Sequence, residues 1–161
     1  MPDLYDNLML HQDDADTLAL GDRQPVMLMM TCFTGAYTYA YSDPKYGTHL
    51  NTAFDERMVI AANGAIAAWG STGLGVAHGH DLLLEGFYSE LWRPGGASKT
   101  LGELAQGGYL RLFDAEQATN RVALIYMYMI TGDPFMRPRV YAPRVLAPED
   151  VRNVYAPTMM R

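Results

Sequence analysis

Cys32 is the one cysteine in 161 residues, and it follows an apolar run from Val26 through Met30. A thiol serves as a nucleophile when it is partly exposed and its thiolate is favoured by a neighbouring imidazole or by positive dipoles. The C-terminal end of a buried strand is such a place, because loops there leave the layered core and meet solvent. Thr34 and Gly35 permit a sharp turn after the thiol, which would aim backbone N–H groups at a developing oxyanion. A lone cysteine is also a small hydrophobe that cores bury readily. Position by itself leaves both readings open.

Four imidazoles are available to such a thiol: His11, His49, His78 and His80. His11, beside Gln12 and Asp13, reads as a solvated turn residue, and His49 precedes a helix that it can help to cap. His78 and His80 flank Gly79 with the spacing of two metal ligands, but no third ligand stands near them, so no metal site and no cofactor is assigned. Gly70, Gly73 and Gly75 lack the spacing of a dinucleotide loop and the acidic residue that should follow it. Gly70, Ser71, Thr72 and Gly73 are instead expected to line a substrate cleft, since such a loop lets a ligand approach the backbone closely. Asp133 before Pro134 reads as a turn residue. Asp55 and Glu56 are adjacent, so on a helix they cannot face one cleft together, and both are expected to be solvated.

The elements that must hold these groups follow from apolar spacing and punctuation. Asp13 to Leu20, closed by Gly21, predicts a short helix. Pro25 opens the first buried strand, which reaches Cys32. Residues 36 to 48 hold four tyrosines among turn formers and predict an ordered surface loop. Leu50, Ala53, Phe54, Met58 and Ala61 fall at helical spacing, and Asn63 and Gly64 end that helix. Ala65 to Trp69 is a second buried strand. Asp81 starts a helix carrying Leu84, Phe87, Tyr88, Leu91 and Trp92, and Thr100 with Glu103 starts the next, weakened in its middle by Gly107 and Gly108. Val122 to Ile130 predicts a third strand. The order of elements implies an α/β layer with a mainly parallel sheet.

Composition narrows the function further. With 49% hydrophobic and 19% charged residues the chain can bury a real core. A formal net charge of −6 and no clustered Lys or Arg argue against nucleic acid as a partner. The apolar runs are too short to span a bilayer, and no basic leader opens the chain, so no membrane segment is read here. An upstream export signal would make the protein secreted or bound to the cell surface; these residues fix no compartment.

Four stretches in order resemble one known family. PVMLMMTCFTGAY is similar to the nucleophile strand and turn of gingipain-like cysteine peptidases, peptidase family C25. LNTAFDERMVIAANGAIAAWGSTGLG resembles the helix, Gly-Ala turn and strand that follow there. GHDLLLEGFYSELW with TLGELAQGG resembles its next two helices, and YMITGDPFMRPRV its closing strand. The resemblance implies a three-layer caspase-like sandwich with a mainly parallel sheet, incomplete at its N-terminal side. Residues 1–140 would be the C-terminal part of the peptidase domain and 141–161 an extended Pro-containing tail.

The implied chemistry is endopeptidase cleavage of a polypeptide through a Cys–His dyad, with Cys32 as nucleophile. Near Gly70 to Gly75 would lie the pocket for the substrate side chain. In the family pattern the dyad histidine belongs to a His-Gly pair ahead of a stretch like Pro2 to Tyr5. That pair is therefore expected in a missing N-terminal part of the domain, which the isolated chain needs as a partner for activity. His80 matches a helix start rather than a base. The alternative is a non-catalytic caspase-like binding or scaffold module whose tyrosine loop contacts another protein. Without strands ahead of residue 25, the nucleophile strand would form an open edge.

Overall fold

A computed structural model describes residues 10, 12–19, 21, 23–37, 52–75, 78–115 and 121–140. A 3-10 helix, Gln12–Thr17, precedes strand β1, Val26–Met29, and helix α1, Phe54–Ile60. Strand β2, Ala67–Ser71, leads to helix α2, His80–Trp92, and helix α3, Leu101–Asp114. Helix α4, Arg121–Met127, runs directly into strand β3, Tyr128–Gly132.

The sheet order is β1-β2-β3. β1 and β2 pair parallel, from Val26 opposite Ala67 to Met29 opposite Gly70, and β3 joins β2 antiparallel with Tyr128 opposite Ser71. A parallel pair needs a crossover, and α1 lies in it. β2 is buried along its whole length because helices cover both of its faces. Ala67 and Trp69 point toward α2 and α3, whose Leu83, Phe87, Leu91, Leu101, Leu104 and Leu112 complete the larger core. On the opposite side α1 packs Met58 against Ala15, Ala61 and Ala65, a smaller core that also takes in Met27. These are the layers of an α/β sandwich, with β1 at a sheet edge among the described residues.

Trp69 is the centre of the larger core. It is fully buried, with ring centroids 5.7 Å from Phe87, 5.4 Å from Tyr109 and 5.7 Å from Tyr128. Its Nε1–H donates to the Tyr109 hydroxyl at 3.0 Å, which in turn donates to the Tyr128 carbonyl at 2.9 Å. A buried indole N–H without an acceptor would cost free energy, so this relay is what lets the ring sit there.

The glycines expected to weaken α3 serve its packing. A methyl group on Gly86 of α2 would lie 2.3 Å from the Gly107 carbonyl oxygen and 2.7 Å from Gly108 Cα, so the two helices meet backbone to backbone. The start of α3 is closed by the anticipated capping box: Thr100 Oγ1 accepts the Glu103 N–H at 3.3 Å, and Glu103 Oε2 accepts the Thr100 N–H at 2.7 Å. Thr100→Ala is expected to cost about 1 kcal/mol in urea unfolding, the usual worth of a lost cap; an unchanged midpoint would show that the box contributes nothing.

Three expectations shift. Asp13 to Leu20 forms a 3-10 helix over Gln12–Thr17, and the helix expected from Leu50 is found as Phe54–Ile60. Val122 to Ile130 is not one strand: it is helical through Met127 and extended only from Tyr128. The apolar run concealed a one-sided pattern. Leu124 and Tyr128, four apart, are buried while Val122 and Tyr126 are exposed, which is helical spacing that a short run does not separate from a strand. The tyrosine loop beyond Tyr37, His11, His49 and the tail 141–161 lie outside the described residues. Among the described residues no helix is long and apolar enough to cross a membrane.

Candidate active site

β1 ends at Met29, so Cys32 stands in the bend beyond the strand rather than within it. The next residue, Phe33, has a φ of 60°, in the left-handed region that a bulky side chain seldom adopts. Strain of this kind persists only where the surroundings impose it. Here they do. The Phe33 N–H donates to the Gly73 carbonyl at 3.1 Å and the Gly35 N–H to the Ser71 carbonyl at 2.9 Å, stitching the turn to the loop after β2. The Cys32 thiol, half-buried, donates to the Gly75 carbonyl at 3.1 Å. The Gly35 N–H is thus turned inward and occupied, so it is not among the backbone N–H groups that the turn could aim at an oxyanion.

The loop from Gly70 lies against the cysteine turn, although the two are distant in sequence. The Ser71 side chain is fully buried and donates to the Gly73 carbonyl at 3.1 Å. The Thr72 N–H and hydroxyl both donate to the Met127 carbonyl, at 2.9 and 3.0 Å. A methyl group on Gly73 would sit 2.6 Å from Met127 Sδ, so that flexible side chain would have to shift to admit one. The two hydroxyls therefore brace the loop from within, and Leu74 is its exposed residue.

His80 is buried where α2 begins, after Gly79 turns the chain at a φ of 110°. Asp81 accepts the Gly79 N–H at 3.0 Å, which holds its carboxyl below the ordinary range. The His80 ring stands edge-on to Tyr128 at 5.5 Å, and a methyl group on Gly75 would lie 2.8 Å from its Nε2. That nitrogen has no hydrogen-bond partner among the described residues. Burial holds the imidazole pKa below 6.5, outweighing a bond to the Met30 backbone that favours the cation. His80 thus lies behind the residue whose carbonyl accepts the thiol, but it makes no hydrogen bond to Cys32, and His78 is exposed. Tyr128 is pushed up strongly, by burial first and then by Cys32 and Asp55.

Asp55 overturns the expectation of a solvated residue. It is fully buried in the first turn of α1, and its N–H donates to the Thr34 carbonyl at 2.9 Å. Burial raises its pKa from 3.8 to about 6, against a lowering by the neighbouring Thr34 hydroxyl. Because the folded value lies above the unfolded one, stability from this group is complete below about pH 4 and is lost as pH rises through about 6, a difference of about 3 kcal/mol. Sequence offered one signal for it: Gly70, on the strand face toward α1, where only a glycine leaves space for a carboxyl. Glu56, its neighbour, stays partly exposed.

Asp133 is a turn residue whose Oδ1 accepts the Phe135 N–H at 2.8 Å. Among the described residues no group of three or more His, Cys, Asp or Glu is gathered to hold a metal ion.

A mixed sheet between helical layers, with a cysteine in a strained turn at the C-terminal end of a parallel strand, is an α/β sandwich that fits the caspase-like class of fold. The chain belongs to peptidase family C25, whose pattern matches residues 3–139. Among solved structures it is similar to a complex of the pro- and mature domains of Porphyromonas gingivalis RgpB, with a TM-score of 0.68 and 16% identity over 82% of this chain. It spans 30% of the length of that chain. No curated protein sequence matches it.

Proposed function

We propose that this chain carries the nucleophile of a cysteine endopeptidase. The observation that carries the proposal is the placement of Cys32: half-buried, beyond a parallel strand, in a turn whose strain is imposed by bonds to the loop at Gly73. In the reaction an imidazole takes the thiol proton and the sulfur bonds to the scissile carbonyl carbon. The C–N bond then breaks as the amine leaves with that proton, and water hydrolyses the thioester to acid and free thiol. The substrate would lie against Thr72 and Gly73, the partly exposed part of the loop, while Gly70 and Ser71, which the sequence also offered, are buried and shape it from beneath.

The base in this reading belongs to a His-Gly pair in a further, N-terminal part of the domain. Neither His78 nor His80 hydrogen-bonds the thiol, which supports that assignment. The remaining part of the domain is then the partner through which the site is completed. The same observation favours the second reading, a non-catalytic module that keeps the fold.

A peptidyl acyloxymethyl ketone separates them. Cys32 of the purified chain is expected to label slowly, Cys32→Ala to abolish the label, and peptide turnover by the chain alone to stay at background. Rapid Cys32-dependent turnover by this chain would overturn the external base. Labelling that survives Cys32→Ala would overturn the nucleophile, and in a longer protein containing the His-Gly pair, unchanged proteolysis by Cys32→Ser would favour the module.

A further inference from the structure

The Asp55 carboxyl occupies a place that neither the packing of α1 nor the proposed chemistry explains. Neither of its oxygens, nor Thr34 Oγ1 beside them, has a hydrogen-bond partner of good geometry among the described residues. A methyl group on Gly70 would lie 2.1 Å from Asp55 Oδ2 and 2.5 Å from Thr34 Oγ1, and one on Gly35 would lie 3.1 Å from the same Oδ2. The carboxyl is therefore wedged between the end of β2 and the turn that follows Cys32. From the backbone side the same residue grips Thr34 through its N–H. A fully buried, unpartnered carboxyl is costly to keep, and an apolar side chain of similar size would fill the space without that cost.

Resting on the reading of Cys32 as nucleophile, we propose that Asp55 is a positioning residue for it: the carboxyl fixes the Thr34–Gly35 turn against Gly70, and its charge governs how readily the thiol carried by that turn reacts. As an uncharged acid it adds no charge beneath the turn. Once ionised it opposes a second negative charge on Cys32. The Tyr128 hydroxyl lies within electrostatic reach of both Cys32 and Asp55, which places the two groups on the same side of the core. The other titratable groups nearby are Tyr37 of the turn, which also feels Asp55 and Glu56, and His80, packed on Tyr128. On the same helix Arg57 is paired with Asp16 of the 3-10 helix.

The test is the rate of Cys32 carboxamidomethylation by iodoacetamide in the intact chain from pH 5 to 9, read by mass spectrometry. In the native chain the rise with pH is expected to flatten near pH 6, where Asp55 ionises. Asp55→Asn, close in shape and uncharged, is expected to remove the inflection and to react about three- to tenfold faster at pH 8. His80→Gln should keep the inflection. Thr34→Val, which removes the hydroxyl that favours the ionised carboxyl, should move it to higher pH; this variant decides the matter if Asp55→Asn does not fold.

Superimposable profiles for the native chain and Asp55→Asn would overturn the proposal. So would an inflection that persists in Asp55→Asn and disappears in His80→Gln, or one that Thr34→Val leaves in place. Failure of Cys32 as nucleophile would appear instead in the peptidyl-probe experiment, since alkylation reports the thiol whether or not it cleaves peptides.

Discussion

Trp69→Ala is expected to destabilise the chain by about 3–5 kcal/mol, the range for emptying a buried aromatic site. The ring is surrounded by Phe87, Tyr109 and Tyr128, which are held by three different elements and cannot all close on the space it leaves. Two losses add. The apolar surface of the indole is no longer buried, and the Tyr109 hydroxyl loses the donor that faces it. A fall of the thermal midpoint on the order of 10 °C should follow. Trp69→Phe keeps a ring but deletes the N–H and leaves part of the cavity, so its cost should lie between about 1 kcal/mol and that of Trp69→Ala. A native-like midpoint for Trp69→Ala would mean that the core at β2 is not organised around this residue. Because β2 also carries Gly70 and the loop that bonds the cysteine turn, slackening at Trp69 should broaden the reactivity of Cys32 toward alkylating reagents.

Gly86→Ala is the second large effect, and its sign has to be decided between two opposed terms. In a helix interior alanine is favoured over glycine by about 1 kcal/mol. Against this, the new methyl group would meet the Gly107 carbonyl oxygen at 2.3 Å, Arg111 Cβ at 2.6 Å and Gly108 Cα at 2.7 Å. Two of the three are backbone, which cannot rotate away, so α2 and α3 must separate. Overpacking of this sort costs about 1–3 kcal/mol and sometimes more, so the net result is a loss. Gly102→Ala in α3 is the matched control. Its nearest neighbour would be the Pro134 carbonyl oxygen at 3.2 Å, a contact that small shifts relieve, and urea unfolding should show it near neutral. Equal effects at the two positions would contradict backbone-to-backbone packing of the helix pair.

Much of this protein was legible before its fold. The apolar run ending near Cys32, the Gly-Ser-Thr-Gly loop and the Thr100–Glu103 cap are local patterns. Strand period, turn chemistry and capping act over a few residues, so spacing alone exposes them. Family membership was legible for the same reason, as an ordered series of such patterns. Locality also set the errors. Val122 to Ile130 looks uniform as a string, and only the core beneath Leu124 decides that it begins as a helix. Gly107 and Gly108 read as defects until Gly86 is brought against them.

The tertiary structure alone decided how the candidate site is built. Cys32 is bonded to Gly75, Phe33 to Gly73 and Gly35 to Ser71, and each bond joins segments about forty residues apart. Asp55 shows the same limit most sharply. By sequence it is one of two adjacent acids at a helix start, where carboxylates are ordinarily solvated and favoured by the helix dipole. What buries it is the absence of a side chain at Gly70, on a strand that reaches it only when the sheet is assembled. Residue types and their spacing determined that a thiol would be offered at the end of a strand. Which groups surround that thiol, and with what charge, depended on packing across the layers, because burial and electrostatics act through space and not along the chain.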